Sequence, residues 1–216
     1  MPAEAAQRSG MWYVRHPQAA DRPALIDICL RTGHDGGDAR SRYADPGLLA
    51  EIFLLPYLEL EPLWCWLGED DAGIAGYIVA TPDTREYASR GEQQWWPALR
   101  RRHPLPDPDR EGPQADLTRR AHAGVPTHMD FLDTHPAHLH IDLLPRAQGR
   151  GLGAHLMATL LEPLQTAGVP GVHLGVSASN PRANAFYERL AFEVLEQAAW
   201  GRWMGRRLAL PPPVTA

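Results

Sequence analysis

From His138 to Leu144 apolar and polar side chains alternate. Leu139, Ile141 and Leu143 fall on one side, His140 and Asp142 on the other, the period-two signature of a strand. From about Gly151 to Ala167 the period changes. Leu152, Leu156, Leu160 and Leu164 make one stripe with Met157 and Leu161 beside it, which predicts an amphipathic helix that Pro163 should kink or shorten. Val172 to Val176 reads as a second strand. Asn180-Pro181 has the form of an N-cap followed by proline at the first helical position, opening a helix that holds Ala185, Phe186 and Leu190. Phe192 to Leu195 and Trp200 to Leu208 return as strands. Strand–helix–strand–helix–strand order implies an α/β architecture with a mixed sheet.

The earlier part is less regular. Met11 to His16 predicts a strand. Ala24, Leu25, Ile28 and Cys29 recur at helical spacing after a start at Asp21-Arg22-Pro23, and Thr32-Gly-His-Asp-Gly-Gly-Asp38 ends that helix. A second helix is expected over Leu48 to Leu55, stopping at Pro56. Trp64 to Leu67 and Ile74 to Ala80 flank an acidic, glycine-bounded turn, so a hairpin is expected. Residues 82–137 are rich in proline and read as an insertion with little regular structure beyond a short helix at 93–100. Residues 1–10 and 209–216 read as flexible ends around one domain spanning 11–208.

Composition narrows the class. The chain has 216 residues, 44% hydrophobic and 22% charged, which is globular. No run approaches the ~20 apolar residues of a membrane span, and the N-terminus lacks the apolar segment of a secretory signal. A formal net charge of −5 argues against a general nucleic-acid binder. Cys29 and Cys65 are too few for a disulfide scaffold or a CxxC zinc site, and the cytoplasm is the expected compartment. Every basic residue is arginine.

The chemistry-bearing stretch is Leu143-Leu-Pro-Arg-Ala-Gln-Gly-Arg-Gly-Leu-Gly-Ala154. It leaves a strand, turns through three glycines and enters an amphipathic helix. Free N–H groups at a helix start, with the macrodipole, attract an anion, and successive turn amides can form a nest around a pyrophosphate. Arg146 and Arg150 can add charge at its rim. No GK[ST] follows, so this is not a Walker A loop, and residues 171–177 lack the acidic residue of a Rossmann fingerprint.

Gln148-x-x-Gly151-x-Gly153 after a strand, followed by Asn180-x-x-x-Asn184-x-x-Tyr187 and Phe192, resembles the GCN5-related N-acetyltransferase (GNAT) family. Ile28-Cys29, His34-Asp-Gly36, Gly76-Tyr77, Trp95-Trp-Pro-Ala-Leu99, Ile141-Asp142 and Phe186-Tyr187 are similar to the acetyltransferase-like domain of O-GlcNAcase and its bacterial stand-alone relatives. The resemblance implies a mixed, mostly antiparallel sheet whose strands ending at Leu144 and near Val176 splay to admit acetyl-CoA. It further implies that Leu143 and Leu144 bond the acetyl and pantetheine amides through their backbone. The amides of Gln148, Gly149, Arg150, Gly151, Leu152, Gly153 and Ala154 would hold the pyrophosphate. Asn180, Asn184 and Phe186 would face the cofactor. The implied reaction is direct acetyl transfer to an amine, with Tyr187 as the acid that protonates the departing thiolate.

Each role has a plainer alternative. Tyr187 also reads as a core aromatic, Asn180 as an N-cap, and Asp142 as a hydrogen-bonded structural carboxylate. As the base, Asp142 would need burial to raise its pKa, and His140 shares its face. His138 and His140 share a strand face, but spacing fixes no third ligand and His135 precedes a proline turn, so no metal is expected. Trp95 and Trp96 read as packing anchors or a substrate-pocket wall, and residues 34–38 as a border of the acceptor site. Acetyl-CoA and an amine acceptor are the expected partners, with no nucleic acid or membrane, and a homodimer is left open. A non-catalytic acyl-CoA-binding or partner-recognition module is the other functional class the sequence allows.

Overall fold

The computed structural model describes residues 11–209; the expected flexible ends, 1–10 and all of the tail beyond 209, lie outside the described residues. Seven strands form one sheet in the order β1-β2-β3-β4-β5-β7-β6. They are β1 (Tyr13–Arg15), β2 (Cys65–Asp70), β3 (Gly73–Thr81), β4 (Ala137–Leu143), β5 (Gly171–Ser177), β6 (Glu193–Ala198) and β7 (Gly201–Arg207). All pairings are antiparallel except β4 with β5. The expected hairpin is β2–β3, with a bulge at Gly68/Glu69.

Alternation along the central strands builds a core on each side. Leu67, Tyr77 and Val79 face one layer, made by α1 (Arg22–Thr32), α2 (Gly47–Phe53) and α3 (Leu55–Leu60). Ile78, Ala80 and Leu139 face the other, where α7 (Leu152–Thr166) lays down Leu152, Leu156, Leu160 and Leu164, each fully buried. Gly68 lets α7 approach: a Cβ there would stand 2.2 Å from Leu152 Cδ1.

Three local expectations are corrected. Pro56 does not end the helical run; the break falls at Leu54, and Pro56 sits in the first turn of α3, where a missing N–H costs nothing. Pro163 does not shorten α7, which continues to Thr166, because one forfeited bond near the end of a well-packed helix is tolerated. The segment 82–137 is largely helical, with α4 (Thr84–Gln94), α5 (Trp96–Arg102) and α6 (Pro113–Ala123). Asp83 caps α4 by accepting from the N–H groups of Arg85 and Glu86. The buried face of α4 is Thr84, Tyr87, Ala88 and Gly91, at helical spacing but mostly small or polar, so no apolar stripe announces it. Tyr87, Trp96, Leu99, Leu117 and Ala121 join the first core layer.

Candidate active site

Parallel pairing of β4 with β5 covers only Ala137–Val172 and His138–His173. Beyond that, β4 runs on to Leu143 and β5 to Ser177 without a shared ladder, so the strands part. The Leu144 N–H donates to Ala75 O at 2.8 Å. Alternate residues of an antiparallel strand face the same partner, so the backbone groups of Ile141 and Leu143 turn the other way, toward the gap that β5 leaves. Leu144 is therefore placed differently from Leu143. Its N–H is taken by Ala75 and its carbonyl accepts from Ala147 at 2.9 Å, which leaves its main chain one lone pair of that carbonyl for a ligand.

The glycine turn sits at the mouth of this gap. Gly149 (φ +71°) and Gly151 (φ +87°) adopt left-handed backbone, and a Cβ on either would meet nothing within 4 Å. Both conformations favour glycine and leave an open cradle. Within it the Gln148 N–H contacts Pro145 O and the Arg150 N–H contacts Ala147 O, each at 3.3 Å, so the expected set narrows. The N–H groups of Gly149, Gly151, Leu152, Gly153 and Ala154 carry no intramolecular acceptor among the described residues. They open α7, whose dipole adds partial positive charge. Trp12 Nε1 pins the turn by donating to Arg150 O at 2.8 Å, a contact no local sequence signal announces.

The cations at the rim differ from the expected pair. Arg146 is bound at 2.7 Å to Asp70 and donates to the carbonyls of Gly73 and Ile74, so it braces the hairpin. Arg150, and Arg182 which the sequence reading missed, have no carboxylate partner among the described residues; Arg182 donates to Gln148 Oε1. Gln148 Nε2 in turn donates to Leu143 O at 2.9 Å, tying the turn to the end of β4. These groups fit a doubly phosphorylated tail.

From the far side of the gap comes α8 (Pro181–Arg189). Asn180 caps it through Oδ1 to the Ala183 N–H, 3.0 Å, and its Nδ2 lies against Gly36 of the 34–38 loop. Asn184 is 5% exposed, and both its amide hydrogens are used: Nδ2 donates to Ser177 O and Asn180 O, and Oδ1 accepts from Arg202 at 2.6 Å. It fastens α8 to the sheet, which leaves only a second lone pair on Oδ1 for a ligand. Phe186 reaches the start of α7, with Cζ 3.1 Å from where a Gly153 Cβ would stand. Tyr187 is buried between Phe186 and Phe192, and its hydroxyl has no hydrogen-bond partner among the described residues. Burial, then the charge of Asp142, push its phenol pKa well up.

Asp142 points to the α1 side. Its Oδ1 accepts from Thr32 Oγ1 at 2.9 Å and its Oδ2 from the Tyr77 hydroxyl at 2.5 Å. Burial raises its pKa above the ordinary carboxylate range, opposed by those two bonds. Each oxygen keeps a second lone pair. Thr32 lies 110 residues away in sequence, so this pairing was invisible beforehand. Further along the same face, His138 is clamped between Tyr57 (2.6 Å) and Thr84 (2.7 Å), and His173 bonds His135 O at 2.8 Å. No group of three His, Cys, Asp or Glu side chains among the described residues could hold a metal.

A strand pair that opens beside a glycine-rich helix N-terminus with unspent amides defines a coenzyme A-dependent acyltransferase site. Residues 116–192 match the Acetyltransferase (GNAT) family. The crystal structure of SsHAT is 38% identical, with 92% of this chain and 98% of that one covered, at a TM-score of 0.84. The chain belongs to the GNAT family, whose members are acetyl-CoA-dependent N-acetyltransferases. Protein O-GlcNAcase of Rattus norvegicus is 24% identical over 197 residues, 89% of this chain but 21% of that protein. The chain thus spans about a fifth of the length of that curated relative. The same fold occurs in yncA of Salmonella typhimurium, solved with acetyl-CoA, at a TM-score of 0.53 and 16% identity, covering 92% of this chain and 94% of that one. Among the described residues no helix is long and apolar enough to cross a membrane.

Proposed function

We propose that the chain moves an acetyl group directly to an amine acceptor in the gap between β4 and β5. The observation that carries this reading is the set of unspent amides at Gly149 and from Gly151 to Ala154, beside strands that separate after His138–His173. Leu143, Gly149, Gly151, Leu152, Gly153 and Ala154 would hold acetyl-CoA through main-chain groups, with Gln148, Arg150 and Arg182 at the rim and Phe186 packing alongside. Asn180 serves as cap and wall. Bound acetyl-CoA supplies an acetyl thioester.

The Leu143 N–H faces the gap, where it can donate to an acyl oxygen as charge builds there. Asp142 takes the proton of the attacking amine at a carboxylate oxygen; its raised pKa makes it a better base than an exposed aspartate. Tyr187 holds a proton at its phenol oxygen and gives it to the leaving sulfur. One N–C bond forms and one C–S bond breaks. The Tyr187 hydroxyl has no partner among the described residues, so its proton is not committed elsewhere and is free for a leaving sulfur. The cytoplasm suits this reading, because Cys29 and Cys65 are buried and unpaired.

The test is thiol release from acetyl-CoA with a panel of amines, paired with a melting curve at 100 Kd of acetyl-CoA. Binding should add about 2.7 kcal/mol of stability. No shift refutes the cofactor site. A shift with no turnover of any amine points instead to a non-catalytic acyl-CoA-binding module, the reading that the O-GlcNAcase likeness invites.

A further inference from the structure

Resting on the function just proposed, we infer that the acceptor is a small amine that itself carries a carboxylate, read by Arg120 with His140 in a cavity at the root of the strand gap.

The cavity opens where β4 and β5 begin to part. Its wall includes Phe53, Arg120, His138, His140, His173 and Trp203. None of the residues lining it is acidic. Arg120 comes from the last turn of α6, inside the segment that sequence reading took for an irregular insertion. One of its nitrogens donates to Gly124 O, and its guanidinium carbon lies 6.0 Å from the Phe53 ring centre. It has no carboxylate partner among the described residues, unlike Arg90, Arg100, Arg102 and Arg119 of the same helical layer, each paired with a Glu or Asp. Burial pulls its pKa below the ordinary arginine value, and only Tyr57 opposes that. A desolvated guanidinium facing a cavity without an anion is costly, and a bound carboxylate removes the cost by taking two parallel N–H bonds.

His140 completes the site. Unlike His138 and His173, its ring nitrogens have no hydrogen-bond partner among the described residues. Its pKa is lowered to about 4 by burial first and then by Arg120, so it is a neutral ring able to donate one N–H to an anion. The cavity holds 60 Å³, room for a few waters at about 10–15 Å³ each, and therefore for a carboxylate rather than a peptide side chain. Asp142, the proposed base, is two residues along β4 on the same face, about 7 Å away. An amine and a carboxylate a few bonds apart, as in an amino acid, span that separation. The same charge disfavours a polyamine or a lysine-rich peptide.

The experiment measures initial rates at saturating acetyl-CoA for the common amino acids, the matching carboxamides, and aliphatic amines without an acid group. The expected result is an amino acid preferred over its carboxamide by about 30-fold or more, the range seen when one partner of a buried charge pair is lost. Arg120→Met should raise KM for that amino acid by a similar factor and collapse its preference over the carboxamide, while the acetyl-CoA Kd, read at a separate part of the gap, stays within twofold. Arg120→Lys should restore part of the loss, since it keeps the charge but not the fork. Carboxamide turnover by the Met variant shows that it is folded; if that variant fails to fold, the wild-type preference alone decides. Equal rates for acid and amide, or a preference for amines without a carboxylate, overturn the inference while leaving the transferase reading intact. Failure of acetyl-CoA to bind, or of any amine to react, takes both down.

Discussion

His138 of β4 stands beside His173 of β5, and theirs is the last rung of the parallel ladder before the strands separate. Their rings lie 5.6 Å apart, both almost wholly buried. The root of the strand gap thus rests on groups that resist protonation.

Burial holds His138 well below the ordinary histidine value and brings His173 and His140 to about 4. The sign follows from linkage. A histidine whose folded pKa is depressed contributes stability that is complete above its unfolded value of ~6.5 and is lost as pH falls through the folded one. Melting temperature should therefore drop between pH 7 and pH 4.5, and His173→Gln should flatten the slope. A wild-type curve level over that range contradicts neutral burial.

Asp142 runs the other way. Its folded pKa is raised, so its cost to stability appears as pH rises through that value. Asp142→Asn keeps partners for Thr32 and Tyr77, yet removes the buried charge. The expected outcome is a higher melting temperature at pH 7, turnover down by at least about 100-fold, and loss of the acid limb of the wild-type rate profile. If turnover stays within twofold, Asp142 is a structural carboxylate only.

The Tyr187 phenol, pushed up by burial and by Asp142, stays protonated throughout the neutral range. Tyr187→Phe removes an oxygen that bonds nothing within the described residues and keeps the ring against Phe186 and Phe192. Stability should move by less than about 0.5 kcal/mol, while kcat falls about 100-fold and KM for acetyl-CoA holds. An unchanged kcat in a step limited by chemistry removes the acid role.

Gly151 and Gly168 offer a matched pair. Both have positive φ (+87° and +76°) and open space where a Cβ would go, at opposite ends of α7. Valine at either should cost roughly 1–2 kcal/mol of backbone strain. Only Gly151→Val should also weaken acetyl-CoA binding, by tenfold or more in a calorimetric titration. Equal Kd values for the two variants would sink the cradle.

Short-range pattern carried the fold's essentials. The alternation of Leu139, Ile141 and Leu143 made a strand, the leucine stripe made α7, and Asn180-Pro181 opened α8, because each signal lies within a few residues of what it shapes. Helices α4 and α6 escaped notice since most of their buried positions, Thr84, Ala88, Gly91, Ala115, Thr118 and Ala121, are small or polar, and only Tyr87 and Leu117 are large and apolar, too few to make a stripe.

What the chain alone decided, then, is the glycine turn, the strand before it and the helix after it, all set by local backbone preference and period. Only the folded molecule decided where β5 leaves β4, that Thr32 and Tyr77 hold Asp142, that Asn184 is spent on Ser177 and Arg202, and that Arg120 faces a cavity with no acid in it. Those facts depend on contacts between residues far apart along the chain, and on which polar groups burial leaves without partners.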